Sequence, residues 1–151
     1  MQKNRIIAID YGKKRIGIAI TDKNCILALP YKTIEAGNNL EESSKNILYT
    51  IQDYLTKTSE IVLGYPLLLN GKIGEMAQEV EKLKLLLSKK IDIKIILWDE
   101  RLTSIQAEGI LKDKKMYNMS RKKRSKKIDP IAATIILQSY LEAKSSKKRL
   151  I

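Results

Sequence analysis

The 151-residue chain, 44% hydrophobic, can bury one core but hardly two, so a single domain is expected. A single cysteine, Cys25, excludes a disulfide framework and offers no metal-binding cluster, and the absence of histidine excludes imidazole bases and Ser-His or Cys-His nucleophiles. No apolar run has the length of a membrane span or the form of a signal peptide, so a cytoplasmic protein without membrane contact is expected; its net charge of +12 points to a polyanionic partner.

In chain order, RIIAID and IGIAIT around Gly12 and its neighbouring lysines predict two strands joined as a hairpin. A third strand is expected over Leu27 to Thr33, with Pro30 marking an edge or a bulge. Ile47, Ile51, Tyr54 and Leu55 repeat at helical spacing within Asn39 to Lys57, and a short buried strand, EIVLG, follows at residues 60–64. The next helix is placed at about Gly74 to Lys90, with Met76, Val80, Leu83 and Leu87 inward and Glu75, Glu79 and Lys82 toward water. IKIILW, residues 93–98, has the continuous apolar character of a strand covered on both faces. Thr103 and Gln106 have capping-box spacing for another helix. A flexible basic loop is expected over 112–127, where nine of sixteen residues are Lys or Arg. The last helix starts with Asp129 as N-cap and Pro130 as first helical residue, buries Ile131, Ile135 and Leu137 to Leu141, and leaves 144–151 as a frayed basic tail. Strands followed by alternating helices and strands make an α/β fold with a mixed sheet.

The positive charge is concentrated at one end. Residues 1–111 carry 16 basic and 14 acidic side chains, whereas residues 112–151 carry 13 and 3. That asymmetry is the footprint of a nucleic-acid binder, and no aromatic-anchored amphipathic helix accompanies it to favour a membrane; the bland alternative is a solubilising segment.

Three carboxylates stand at element ends: Asp10 after the first strand, Glu100 after the last, and Asp129 at the mouth of the final helix. Ligands of open α/β sheets bind at such strand ends, and oxygen donors suit Mg²⁺ or Mn²⁺, which can support phosphodiester hydrolysis. Each residue has a second reading: Asp10 as a turn former, Glu100 as a surface partner of Arg101, Asp129 as a helix cap alone. Asp99 is an alternative to Glu100, and Asp22 an alternative fourth ligand.

The blocks DYGKKRIGIAITD, GYPLLLNG, DERLTSIQAE and IDPIAATIILQSYL, in this order over nearly the whole chain, resemble the YqgF family, also called RuvX. The resemblance implies an RNase H-like fold over residues 1–143 and a divalent-metal nuclease related to Holliday junction resolvases. It also implies a link to maturation of the 5′ end of 16S rRNA. By motif position, Asp10, Glu100 and Asp129 correspond to the family's proposed catalytic acids. The GYPLLLNG block departs from the family pattern, with Tyr65 in place of leucine, Leu68 in place of asparagine and Asn70 in place of aspartate. The Asp-x-Gly block also resembles the phosphate hairpin of sugar kinases and Hsp70-like ATPases, but those need two such domains.

As substrate-binding groups, Gly12 admits close backbone approach to a phosphate, and Lys13, Lys14 and Arg15 supply cations, although strand alternation keeps all three from pointing one way. Arg101 is a candidate phosphate clamp or carboxylate orienter. Arg121, Lys122, Lys123 and Arg124 give salt-sensitive backbone contact. The expected partners are pre-rRNA or structured DNA, with ribosomal particles, for a monomer or homodimer. A binding factor without cleavage, and a dimeric resolvase, are the rival functions.

Overall fold

The computed structural model describes residues 3–101 and 130–149. Five strands form one mixed sheet in the order β3-β2-β1-β4-β5: β1 (Arg5–Tyr11), β2 (Arg15–Thr21), β3 (Ala28–Glu35), β4 (Thr58–Tyr65) and β5 (Lys94–Asp99). The expected hairpin is present, with Asp10 paired to Gly17 and Ile9 to Ile18, and β3 adds antiparallel at the edge. Its register slips between Ile18 and Ala19, next to Pro30, because proline brings no N–H to the ladder. β4 and β5 then add parallel to β1 and to each other.

Strand alternation sends side chains to two cores. Ile7, Ile9, Ile61, Leu63 and Ile95 pack with helices α1 (Leu40–Ile51) and α2 (Glu75–Lys90). On the other face, Ile6, Ala8, Ala19 and Val62 pack with Ala133, Ile136, Leu137, Tyr140 and Leu141 of helix α3 (Ile131–Arg149). Each fully buried Ile or Leu contributes about 1.5–3 kcal/mol relative to exposure, so the residues facing α3 hold it firmly across the sheet.

Local chemistry sets the helix ends. Asn39 Oδ1 accepts the Glu42 N–H at 2.8 Å, and Glu42 Oε2 accepts the Asn38 N–H at 3.2 Å, so donors at the start of α1 are met by side chains. The helix expected to reach Lys57 is α-helical only to Ile51. A 3₁₀ turn over Gln52–Lys57 follows, and it brings Tyr54 and Leu55 onto the core and feeds directly into β4.

Several inward positions differ from expectation. In α2 it is Ala77, with Val80, Leu83 and Leu87, that is fully buried; Met76 is half-buried, and Glu79, expected in water, has a buried carboxylate oxygen. β5 is an edge strand of this sheet with only Ile95 fully buried, so its apolar run is half-covered. In α3, Ile131 and Ile135 are half-buried while Ala133, Ile136 and Ser139 are buried. Pro130 precedes the helix, and its carbonyl accepts the Thr134 N–H at 3.0 Å. The helix runs on to Arg149, through most of the stretch expected to fray, and Lys144 within it bonds Glu60 at 3.0 Å. The Thr103–Gln106 capping box and the 112–127 loop lie outside the described residues.

Candidate active site

Because β1, β4 and β5 are parallel, their C-terminal ends meet at one end of the sheet. Asp10 is the penultimate residue of β1, and Glu100 is the first residue after β5. Ile7, Ile9 and Tyr11 face α1 and α2, so Ala8 and Asp10 face α3. Val62 and Gly64 have the same phase in β4, and Ile96 and Trp98 in β5. The Glu100 N–H donates to the Tyr65 carbonyl at 3.1 Å, which extends the β4–β5 pairing one residue and brings the Glu100 side chain back over Gly64.

Gly64 makes that position available. A Cβ at residue 64 would stand inside van der Waals contact of Glu100 Oε1 and 2.7 Å from Ile136 Cδ1, so any larger residue would evict the carboxylate. Glu100 shares a side-chain hydrogen bond with Asp10, and its carboxyl is raised from 4.5 to about 7. Burial is the main cause, followed by the Asp10 charge, the bond shared with Asp10, and the charge of Asp99. Two carboxyl groups from distant parts of the chain thus converge on one spot, and Glu100 holds its proton up toward neutrality.

The neighbouring charges have other tasks. Arg101 grips Asp99 through Nη2 at 2.8 Å and Nε at 3.0 Å, so it orients Asp99. Asp99 is accordingly held below its ordinary range, chiefly by the Arg101 hydrogen bond. Asp22 stands at the opposite end of the sheet, because β2 runs antiparallel to β1, and its carboxylate accepts the N–H groups of Ile26 and Leu27; it is a turn residue rather than a fourth ligand. Gly12 allows a turn in which a Cβ would lie 2.7 Å from the Arg15 carbonyl oxygen, and Lys13, Lys14 and Arg15 are all exposed. Gly17, the partner of Asp10, receives Pro130, whose Cβ would be 3.4 Å from a Cβ there, and so the foot of α3 sits against the Asp10 ladder. Asp129, Arg121, Lys122, Lys123 and Arg124 lie outside the described residues.

The structure also reveals two supports that sequence reasoning missed. Tyr11, beside Asp10, hydrogen-bonds Glu79, and Tyr65, beside Gly64, hydrogen-bonds Glu81. Both tyrosines are raised, Tyr11 mainly by burial and Tyr65 mainly by its carboxylate partner, so each remains a hydroxyl donor that ties a strand end to α2. The available signal was the strand phase: with Ile7 and Ile9 inward toward α2, Tyr11 had to follow. Among the described residues no group of three or more metal-ligating side chains occurs, and no helix is long and apolar enough to cross a membrane.

Comparison with known proteins agrees with this architecture. A sequence profile of the RuvX family, described as Holliday junction resolvase, matches residues 4–143. A Protochlamydia amoebophila protein named "Putative pre-16S rRNA nuclease" is 41% identical over 145 residues, covering 93% of this chain and 95% of the relative. A Chlamydia caviae protein of the same name is 40% identical and covers 97% and 88%. Among solved structures, T. thermophilus RuvC in complex with a Holliday junction substrate superposes with a TM-score of 0.56 at 13% identity, covering 93% of this chain and 95% of that one. The fowlpox virus Holliday junction resolvase gives 0.53 at 18% identity, covering 93% and 99%. These likenesses establish the RNase H-like fold, and the profile match with the 40% relatives shows that the chain belongs to the RuvX family of nucleases.

Proposed function

We propose that this chain is a divalent-metal-dependent nuclease that trims the 5′ end of the 16S rRNA precursor. The observation that carries the reading is the Asp10–Glu100 carboxylate pair, assembled at the ends of parallel strands in a family whose relatives are named for this substrate. The donor set suits a hard cation such as Mg²⁺ or Mn²⁺: both groups are carboxylates, and the missing Cβ of Gly64 leaves Glu100 room beside Asp10. Bound there, such an ion supplies activation of water and charge relief at the leaving oxygen.

The chain's own residues do the rest. Asp10 and Glu100 would hold the ion as carboxylates, which requires Glu100, raised to about 7, to give up its proton. Asp129, covalently next to the Pro130 that rests on Gly17, is the proposed third acid. Gly12, Lys13, Lys14 and Arg15 would lie along the phosphate backbone, and the Arg121–Arg124 cluster would add salt-dependent affinity. Arg101 orients Asp99 in the free protein and would reach a phosphate only by giving up that pair.

The test is cleavage of an end-labelled 16S precursor fragment and of a four-way DNA junction, with Mg²⁺ or Mn²⁺, by wild type, Asp10→Asn and Glu100→Gln. Metal-dependent cleavage of the RNA that both substitutions remove is the expected result. The description of the family profile favours the junction as a second reading, and preferential cutting of it would transfer the assignment to a resolvase. Binding without cleavage in all three proteins would leave an assembly factor and end the nuclease reading.

A further inference from the structure

The segment between β4 and α2 places apolar side chains in water at the edge of the site. Leu68 is 50% exposed, Ile73 51% and Leu69 98%. The segment is nonetheless built as a tight turn. The Leu68 carbonyl accepts the Gly71 N–H at 2.8 Å, the Leu68 N–H donates to the Lys72 carbonyl at 3.0 Å, and Asn70 Oδ1 accepts the Lys72 N–H at 2.9 Å. Gly71, at φ +80°, supplies the left-handed residue this geometry requires. Leu68 rests on Gly74, where a Cβ would meet it at 3.3 Å. Leu69 alone is carried at the tip, packing on almost nothing, so it contributes almost nothing to the core.

The root of the turn is one peptide from the catalytic pair. The Tyr65 carbonyl accepts both the Leu67 N–H at 3.0 Å and the Glu100 N–H at 3.1 Å. Tyr65 is itself fastened to Glu81 of α2, so the base of the turn is fixed. On the near side, Arg101 Nη1 lies 3.6 Å from where a Cβ of Gly71 would be, and Lys72 adds a second cation. An apolar tip on a turn that carries Lys72 and passes close to Arg101, rooted beside two carboxyl groups, matches a nucleic-acid strand better than an apolar protein surface: Lys72 for a phosphate, Arg101 if it releases Asp99, and a leucine for a base. Apolar wedges of this kind insert between base steps and unstack them.

We propose that Leu69 is a wedge that unstacks the base flanking the phosphate held at the Asp10–Glu100 pair, which makes it a specificity-determining residue for RNA that can open locally. This inference rests on the nuclease reading of the same site, and binding and cleavage are measured separately so that the two can fail apart. A 16S precursor fragment carries 2-aminopurine at single positions across the cleavage region, and its fluorescence is followed on binding with Ca²⁺ in place of Mg²⁺. Wild type is expected to brighten the probe at one position, and Leu69→Ser to lose most of that rise. Leu85→Ser, which alters an exposed leucine on α2, should keep it. With Mg²⁺, Leu69→Ser should cut the normal fragment about tenfold more slowly and cut a fragment abasic at the brightened position as fast as wild type. Cleavage by wild type together with equal brightening and equal rates for Leu69→Ser overturns the wedge and leaves the nuclease. If no protein cuts, the nuclease reading fails and the fluorescence alone decides: a rise lost with Leu69→Ser upholds the wedge, and no rise, or an unchanged one, rejects it.

Discussion

Glu60 and Glu100 are both glutamates of the parallel strands β4 and β5 or their ends, and both are tied to the α3 side of the sheet, yet their surroundings are opposite. Glu60, with its side chain 13% exposed, receives the Tyr140 hydroxyl at 2.9 Å and the Lys144 ammonium at 3.0 Å. Its charge is answered within the protein, and the trio fastens the C-terminal half of α3 to the sheet. Glu100 instead lies in hydrogen-bond contact with another acid, Asp10. Burial, with the Asp10 charge beside it, lifts its carboxyl to about 7, the kind of shift that clusters at functional sites. A buried glutamate met by a hydroxyl and an ammonium holds the fold together, and one set against a second carboxyl group is the kind of place where a cation can bind.

That contrast breaks if the two glutamates respond alike to substitution. The largest expected effect is on activity: Glu100→Gln and Asp10→Asn should each lower the cleavage rate by roughly 10²–10³-fold, the scale of losing one preorganised electrostatic contact, while the thermal midpoint holds or rises because repulsion is relieved. Rates and melting curves on the same preparations check both halves.

Gly64→Ala comes next. Its methyl group takes the space of Glu100 Oε1 and crowds Ile136, so a loss of about 100-fold in rate is expected from misplacing the acid, with overpacking costing about 1–3 kcal/mol of stability. Full activity in this variant would mean that Glu100 acts from some other position.

Tyr140→Phe sharpens the comparison from the other side. It removes one donor to Glu60 and should cost about 0.5–1.5 kcal/mol in denaturant unfolding, with cleavage unchanged.

The last comparison is a pH dependence. Folded Glu100 keeps its proton up to about 7, whereas unfolded it releases it near 4.5, so the folded state binds more protons across that window. Stability should therefore be full below about 4.5 and fall as pH rises through 7 in metal-free protein. Melting temperatures between pH 4.5 and 8 should show this decline in wild type, a flatter profile in Glu100→Gln, and recovery at high pH on adding Mg²⁺. A wild-type curve as flat as that of the variant would remove the basis for treating the pair as strained.

Much of the scaffold was legible from local pattern. Alternation in RIIAID and IGIAIT predicted the hairpin, and Pro30 predicted the edge irregularity, because a missing N–H has the same consequence in any sheet. The positions of Asp10 and Glu100 at strand ends were legible for the same reason. Side-chain partners were less so. Arg101 follows Glu100 in the chain and looked like its partner, but bonds Asp99, since the chain leaves β5 at Glu100 and the Glu100 side chain turns inward over Gly64. Glu79 matched the wet face of an amphipathic helix, but the end of β1 brings Tyr11 to it.

By itself the sequence determined the strand and helix periods, the turn positions, the uneven charge and the four motif blocks that mark the RuvX family. Those are properties of neighbours along the chain, set by alternation, capping and backbone preference. Only the tertiary structure decided that Asp10 and Glu100, about ninety residues apart, share a side-chain hydrogen bond, and that the missing side chain of Gly64 leaves room for Glu100. Such contacts depend on strand order, register and face, and a one-residue slip of β4 against β1 would turn Gly64 away from Asp10 without changing a letter of the local pattern.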